Sequence, residues 1–143
     1  MIAFAASLST DPRLRRLAGE LARFFAVGAT ATVVHYAILI GLVELAHAAL
    51  IPATTAGFIG GATTSYTLNR RVTFSHQPQY GRGLAKFFAV SLFGMGLNAL
   101  IVGGLARLGL PYLMAQVGAT GACFFWNFTA ARLLVFRAPR PQG

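Results

Sequence analysis

Four stretches of the chain, 24–46, 51–68, 87–106 and 110–131, are almost wholly apolar and are separated by shorter polar or basic segments. At about 1.5 Å of rise per helical residue, each is long enough to cross a hydrocarbon layer of roughly 30 Å, the second only just. No stretch alternates with period two as barrel strands would. Because lipid gives backbone groups no hydrogen-bond partners, the pattern predicts four transmembrane helices. Pro52 and Pro111 stand near the starts of the second and fourth stretches, where a missing N–H is tolerated. They predict short turns, so that helices one and two form one hairpin and helices three and four another. Ahead of the first run, Thr10-Asp11-Pro12 reads as a helix start, and Leu14, Leu17, Ala18 and Leu21 recur opposite Arg13, Arg16, Glu20 and Arg23. This predicts an N-terminal amphipathic helix on the membrane face within residues 1–22, with a disordered basic tail as the alternative. Residues 23–136 then form the four-helix domain and 137–143 a basic tail. The basic residues of the N-terminus follow its few apolar ones, the reverse of a cleavable signal.

The two halves repeat. Arg23-Phe24-Phe25-Ala26-Val27 returns as Lys86-Phe87-Phe88-Ala89-Val90, an offset of 63 that also places His35 on Asn98. After a one-residue contraction assigned to the turn, an offset of 62 pairs Ser65 with Asn127, Tyr66 with Phe128, Thr67 with Thr129, Arg70 with Arg132 and Phe74 with Phe136. Each repeat holds an even number of spans, so both enter the membrane from one side, related by an axis along its normal. Ala56 with Gly60, and Gly118 with Ala122, are small pairs in matching places and are expected at close helix approaches. The predicted fold is an all-α membrane protein, two parallel-repeat helical hairpins making four transmembrane helices.

Charge then sets the orientation. Of the 12 Lys and Arg, set against 3 Asp and Glu, Arg13, Arg15, Arg16 and Arg23 precede helix one, and Arg70, Arg71, Arg82 and Lys86 lie between helices two and three. Arg132, Arg137 and Arg140 follow helix four. Only Arg107 falls in a hairpin turn, so the positive-inside rule places both termini in the cytosol, as in a bacterial inner membrane. Basic residues at the ends of apolar spans argue against a nucleic-acid partner, which needs a soluble basic face. Cys123 is the single cysteine and lies in an apolar run, so it reads as a small buried hydrophobe. His35, His47 and His76 have no metal-ligand spacing, and no nucleophile, base and carboxylate form a catalytic set, so neither an enzyme nor a cofactor is expected.

The basic-Phe-Phe start, the polar residue midway along the odd helices and the close Ser65-Tyr66-Thr67-Leu68-Asn69-Arg70-Arg71-Val72-Thr73-Phe74 resemble the GtrA-like family of four-span bacterial membrane proteins, over roughly 21 to 136. In the second half the close is degraded: Asn127 and Arg132 persist, but Ala131 and Leu133 replace the counterparts of Asn69 and Arg71. The resemblance implies a part in cell-surface polysaccharide synthesis, by translocation of a polyprenyl-phosphate-linked sugar. It also leaves room for a partner or anchor of a glycosyltransferase.

Asn69, Arg70, Arg71 and Arg132 fall at headgroup depth, where arginine's fork suits a lipid phosphate and asparagine adds a neutral donor. The alternative is that they are orientation charges snorkelling to the interface. His35 and Asn98 lie about 16 Å into their spans, near the midplane, where a polar group must be paired or wet. With Asn127 and Ser65 they define a polar interior path, or else interhelical hydrogen bonds that only hold the bundle. A translocase of this size is expected to assemble as a homo-oligomer among membrane lipids. A proton-coupled cation exporter, the third class, would place a carboxylate deep in helix one, where this chain has His35.

Overall fold

The computed structural model describes residues 11–137, and among them every regular element is helical. The first ten residues and those beyond Arg137 lie outside the described part, including most of the basic tail and the residues on which the uncleaved-signal expectation rests. Two compact units, 1–75 and 76–143, each hold one hairpin.

In the first unit α1, Pro12–Ile40, starts where its sequence directs: the Asp11 carboxylate accepts a 2.8 Å hydrogen bond from the Arg13 amide, and Pro12 occupies the first turn. The amphipathic stretch and the first span are one uninterrupted helix. The boundary expected at residue 22 falls inside it, because no proline or cap signal breaks the chain between Arg13 and Ile40. Thr30 and Thr32 donate to the Ala26 and Gly28 carbonyls at 3.0 Å, so their hydroxyls are satisfied within the helix. α1 ends in a five-residue π-helical turn, Gly41–Leu45, and the chain reverses through His47, at φ 51°, into α2, Leu50–Leu68. α2 in turn closes on a π turn, Asn69–Thr73.

The second unit repeats this plan. α3, Tyr80–Arg107, turns through Gly109 at φ 86° into α4, Tyr112–Ala130, which closes on the π turn Ala131–Val135. α2 and α4, their π turns, and the left-handed residues His47 and Gly109 all correspond at the offset of 62. The closing bonds match too: Phe74 N–H to Asn69 O at 3.0 Å, and Phe136 N–H to Ala131 O at 2.9 Å.

The offset changes from 63 to 62 for a visible reason. α1 accommodates an extra residue as the π turn Gly41–Leu45, whereas α3 stays α-helical to Arg107. The contraction expected in the turn is therefore located in the last helical turn before it.

Pro12–Leu45 and Tyr80–Arg107 are long and apolar enough to cross a membrane, and in each only 11% of the most apolar window is buried within the protein. The core helix of a soluble protein would be mostly covered; these present their apolar surface outward, as lipid requires. α2 carries Thr54, Thr55, Thr63, Thr64 and Ser65, and α2 and α4 return as the second limbs of their hairpins. Phe25, Val33, Tyr36, Ile40, Phe93 and Leu100 are among the large side chains left exposed. The protein is an all-α membrane protein.

The faces that bring α1 and α2 together are set by absent side chains. A Cβ at Gly57 would stand 2.8 Å from the His35 carbonyl oxygen, and one at Gly61 2.9 Å from that of Ala31. The closest backbone approach thus runs along Ala53, Gly57 and Gly61, one residue round from the expected Ala56 and Gly60, with Gly60 also facing α1 at the Ile38 side chain. In the second unit the buried counterparts are Ala115, Ala119 and Cys123, while Gly118 and Ala122 are exposed. Small residues recur on the packed face of both hairpins because lipid supplies no hydrophobic drive, and dispersion contacts need backbones close together.

Candidate functional site: the feet of the hairpins

The polar residues concentrate where α2 and α4 end. In the first unit the π turn Asn69–Thr73 packs against the start of α1. The Phe24 and Phe74 rings meet edge to face with centroids 6.2 Å apart, and Arg16 donates to Ser75 Oγ at 3.0 Å. Arg16 also donates through Nε to Glu20 at 3.2 Å, pairing an exposed guanidinium with a carboxylate whose side chain is only 5% exposed. Glu20, Phe24, Val27 and Ala31 form the buried stripe of α1.

On the π turn itself the side chains divide by exposure. Asn69 is fully buried, and its Nδ2 donates to Ser65 Oγ at 3.3 Å. That commits its donor to α2 and leaves Oδ1 buried with no hydrogen-bond partner; Thr73 Oγ1 is in the same state. Arg70 is half-buried and Arg71 exposed. Of the four expected phosphate contacts, the structure thus brings Asn69, Arg70 and Arg71 to one foot, with Asn69 turned inward. Ser65, expected on an interior path, is the partner of Asn69.

In the second unit Arg132 is half-buried, like Arg70, and Leu133 takes the exposed place of Arg71. Ala131 and Val135 are buried where the first unit has Asn69 and Thr73. Asn127 lies one turn deeper, its Oδ1 buried without a partner and close enough to Gly94 that a Cβ there would stand 2.6 Å away. Around it, Cys123 Sγ donates to the Gly94 carbonyl at 3.3 Å and Trp126 Nε1 to that of Val90 at 3.4 Å. Both bonds tie α4 to α3. Trp126 is thus a rivet within its hairpin.

His35 is half-buried on α1. It packs on Gly57 and Gly61 and sets its ring edge to face with Tyr36, centroids 5.4 Å apart. Asn98, half-buried on α3, belongs to the other unit. Glu44 and His47 are exposed at the hairpin turn. Among the described residues no three His, Cys, Asp or Glu gather where a metal ion would be held.

Sequence reasoning read Glu20 as part of a polar helix face and passed over Thr73. The repeat offsets would have found both: carried back three residues from Arg23, the first puts Glu20 on Gly83, and the second, already running to Phe74, puts Thr73 on Val135.

Comparison with known proteins agrees with this architecture. Residues 23–136 match the family described as GtrA/DPMS, transmembrane domain. An uncharacterized membrane protein, YngA of Bacillus subtilis (strain 168), is 26% identical over 117 residues, covering 81% of this chain and 78% of the relative. No solved structure matches. With four helices in two matched hairpins, and the match running from the Arg23-Phe24-Phe25 start to the Phe136 that closes the second foot, the chain belongs to the GtrA/DPMS transmembrane-domain family.

Proposed function

We propose that this protein moves a polyprenyl-phosphate-linked sugar across the bacterial cytoplasmic membrane for cell-surface polysaccharide synthesis, with both termini and both feet on the cytosolic side. The observation that carries the reading is the recurrence of a half-buried arginine, Arg70 and Arg132, one residue into a π turn at the end of each repeat. A helix end that keeps its guanidinium partly covered holds the fork in place for a phosphate, whereas an orientation charge needs only to reach water. π turns are frequent at functional positions, since the wider turn re-aims side chains. In this reading the arginines capture the phosphate, His35, Asn98, Asn127 and Ser65 let the sugar pass, and the prenyl chain stays in lipid. The active form is a homo-oligomer.

Liposomes carrying the purified protein and a fluorescent polyprenyl-phosphate hexose test this. Transbilayer movement above that of protein-free liposomes is expected, and rates equal to theirs refute it. Reporter fusions near position 78 should report the cytosol.

A second reading, recruitment of a glycosyltransferase, is favoured by the first turns of α1, where Arg13, Leu14 and Arg15 are all exposed ahead of the span. Co-purification of a transferase that depends on those residues, with surface glycosylation insensitive to Arg70→Ala, would put this reading ahead.

A further inference from the structure

Four buried positions separate the two repeats chemically. Glu20, Tyr66, Asn69 and Thr73 are 4%, 0%, 0% and 4% exposed in the first unit. Their counterparts at the repeat offsets are Gly83, Phe128, Ala131 and Val135, all buried as well. At every one of the four, the first repeat bears a side-chain oxygen and the second bears none. The backbone plan is shared down to the π turn, so the oxygens are not needed to build the foot. Burying polar oxygen in a site that folds equally well with alanine, valine and phenylalanine costs stability. The cost is visible, because Asn69 Oδ1 and Thr73 Oγ1, four residues apart on one turn, have no hydrogen-bond partner. Oxygens held in this state favour a ligand rich in O–H donors, and the guanidiniums beside them, Arg70 and Arg71 on the same turn and Arg16 across from it, favour an adjacent phosphate.

We infer that the first repeat alone reads the sugar: Asn69 and Thr73 are specificity-determining residues that accept hydrogen bonds from hydroxyls of the hexose esterified to the lipid phosphate, while the second repeat contributes phosphate capture without sugar recognition. This rests on the function proposed above. The foot must loosen to admit the hexose. The tie that closes it, Arg16 to Ser75 at 3.0 Å, is made by a largely exposed guanidinium that an incoming phosphate is able to draw away. The Arg-to-Ser pair itself is not repeated in the second repeat, where Gln79 and Arg137 stand at those positions.

The test compares binding of a polyprenyl phosphate with that of its glucosyl, galactosyl and mannosyl phosphodiesters to the full chain in nanodiscs, by native mass spectrometry. The wild type should prefer at least one glycosylated lipid. In the double variant Asn69→Ala with Thr73→Val, that preference should fall about tenfold, equal to about 1.4 kcal/mol. Its affinity for the bare polyprenyl phosphate should fall far less than that, and its thermal stability without lipid should drop by no more than loss of the Asn69–Ser65 hydrogen bond entails, because Asn69 Oδ1 and Thr73 Oγ1 are themselves unpaired. A merely structural role predicts the opposite pattern, both lipids weakened alike. The matched change in the other foot, Val135→Thr, should leave the preference as it is. A wild type that binds the bare lipid but prefers no glycosylated one overturns this inference and leaves phosphate capture standing. A wild type that binds neither overturns both.

Discussion

Replacing Gly57 by alanine isolates the contact on which the first hairpin depends. The added Cβ would lie 2.8 Å from the His35 carbonyl oxygen, inside the 3.0 Å that real Cβ atoms observe, and ordinary contact begins near 3.4 Å. A backbone oxygen has no rotamer to escape into, so α1 and α2 must part locally by roughly 0.6 Å, losing dispersion contacts along Ala53, Gly57 and Gly61. Overpacking of this kind costs about 1–3 kcal/mol. Alanine's better helix propensity returns about 1 kcal/mol, leaving a net loss of up to about 2 kcal/mol. Gly60→Ala is the matched control. Its Cβ would meet the Cδ1 end of Ile38, which is free to rotate at a cost of about 1 kcal/mol, so the variant should lie within about 0.5 kcal/mol of the wild type. Gly61→Ala, 2.9 Å from the Ala31 carbonyl, should resemble Gly57→Ala, and the double variant should cost less than the sum, since one separation relieves both clashes. Reversible unfolding in mixed detergent and dodecyl sulfate, followed by far-ultraviolet circular dichroism, reads all four. If Gly60→Ala were the destabilised variant and Gly57→Ala neutral, the assigned helix face would be wrong.

In the second hairpin, Gly94→Ala drives a Cβ onto Asn127 Oδ1 and should cost about 1–2 kcal/mol; Asn127→Ala should recover most of it, a coupling that a double-mutant cycle measures. At the outer turns the same left-handed conformation is held by different residues, so His47→Gly should be neutral or gain about 0.5 kcal/mol and Gly109→Ala should lose about 1 kcal/mol, both read from thermal unfolding in detergent. For polyprenyl phosphate binding in nanodiscs, Arg70→Ala should weaken affinity about tenfold or more, with Arg70→Lys only a partial rescue, and Arg71→Ala should do less because that side chain is exposed. Equal effects of all three would return the arginines to the role of orientation charges.

Much of this architecture is written in one dimension. Helix type follows from uninterrupted apolar runs in a solvent without hydrogen bonds, hairpin pairing from short turns, and the duplication from offsets that any reader of the chain is able to measure. The start of α1 at Asp11 and Pro12 is equally local, a cap and a fixed φ. What the chain conceals is azimuth. A soluble helix announces its inner face by polarity, but in α2 and α4 the lipid face and the packed face are built from similar small and apolar residues. Only the fold decided that α1 brings its backbone carbonyls against Gly57 and Gly61, while Gly60 meets only the end of the Ile38 side chain. The same reason hid the buried state of Glu20, Asn69 and Thr73: the residue types are those of an interface, and only packing against the neighbouring helix reveals that water has been removed from them. The extra residue of the first repeat was countable from the sequence, yet its place in a π turn came from the three-dimensional structure. Hydrogen bonds of a widened turn absorb an insertion that the run of apolar letters passes over without a mark.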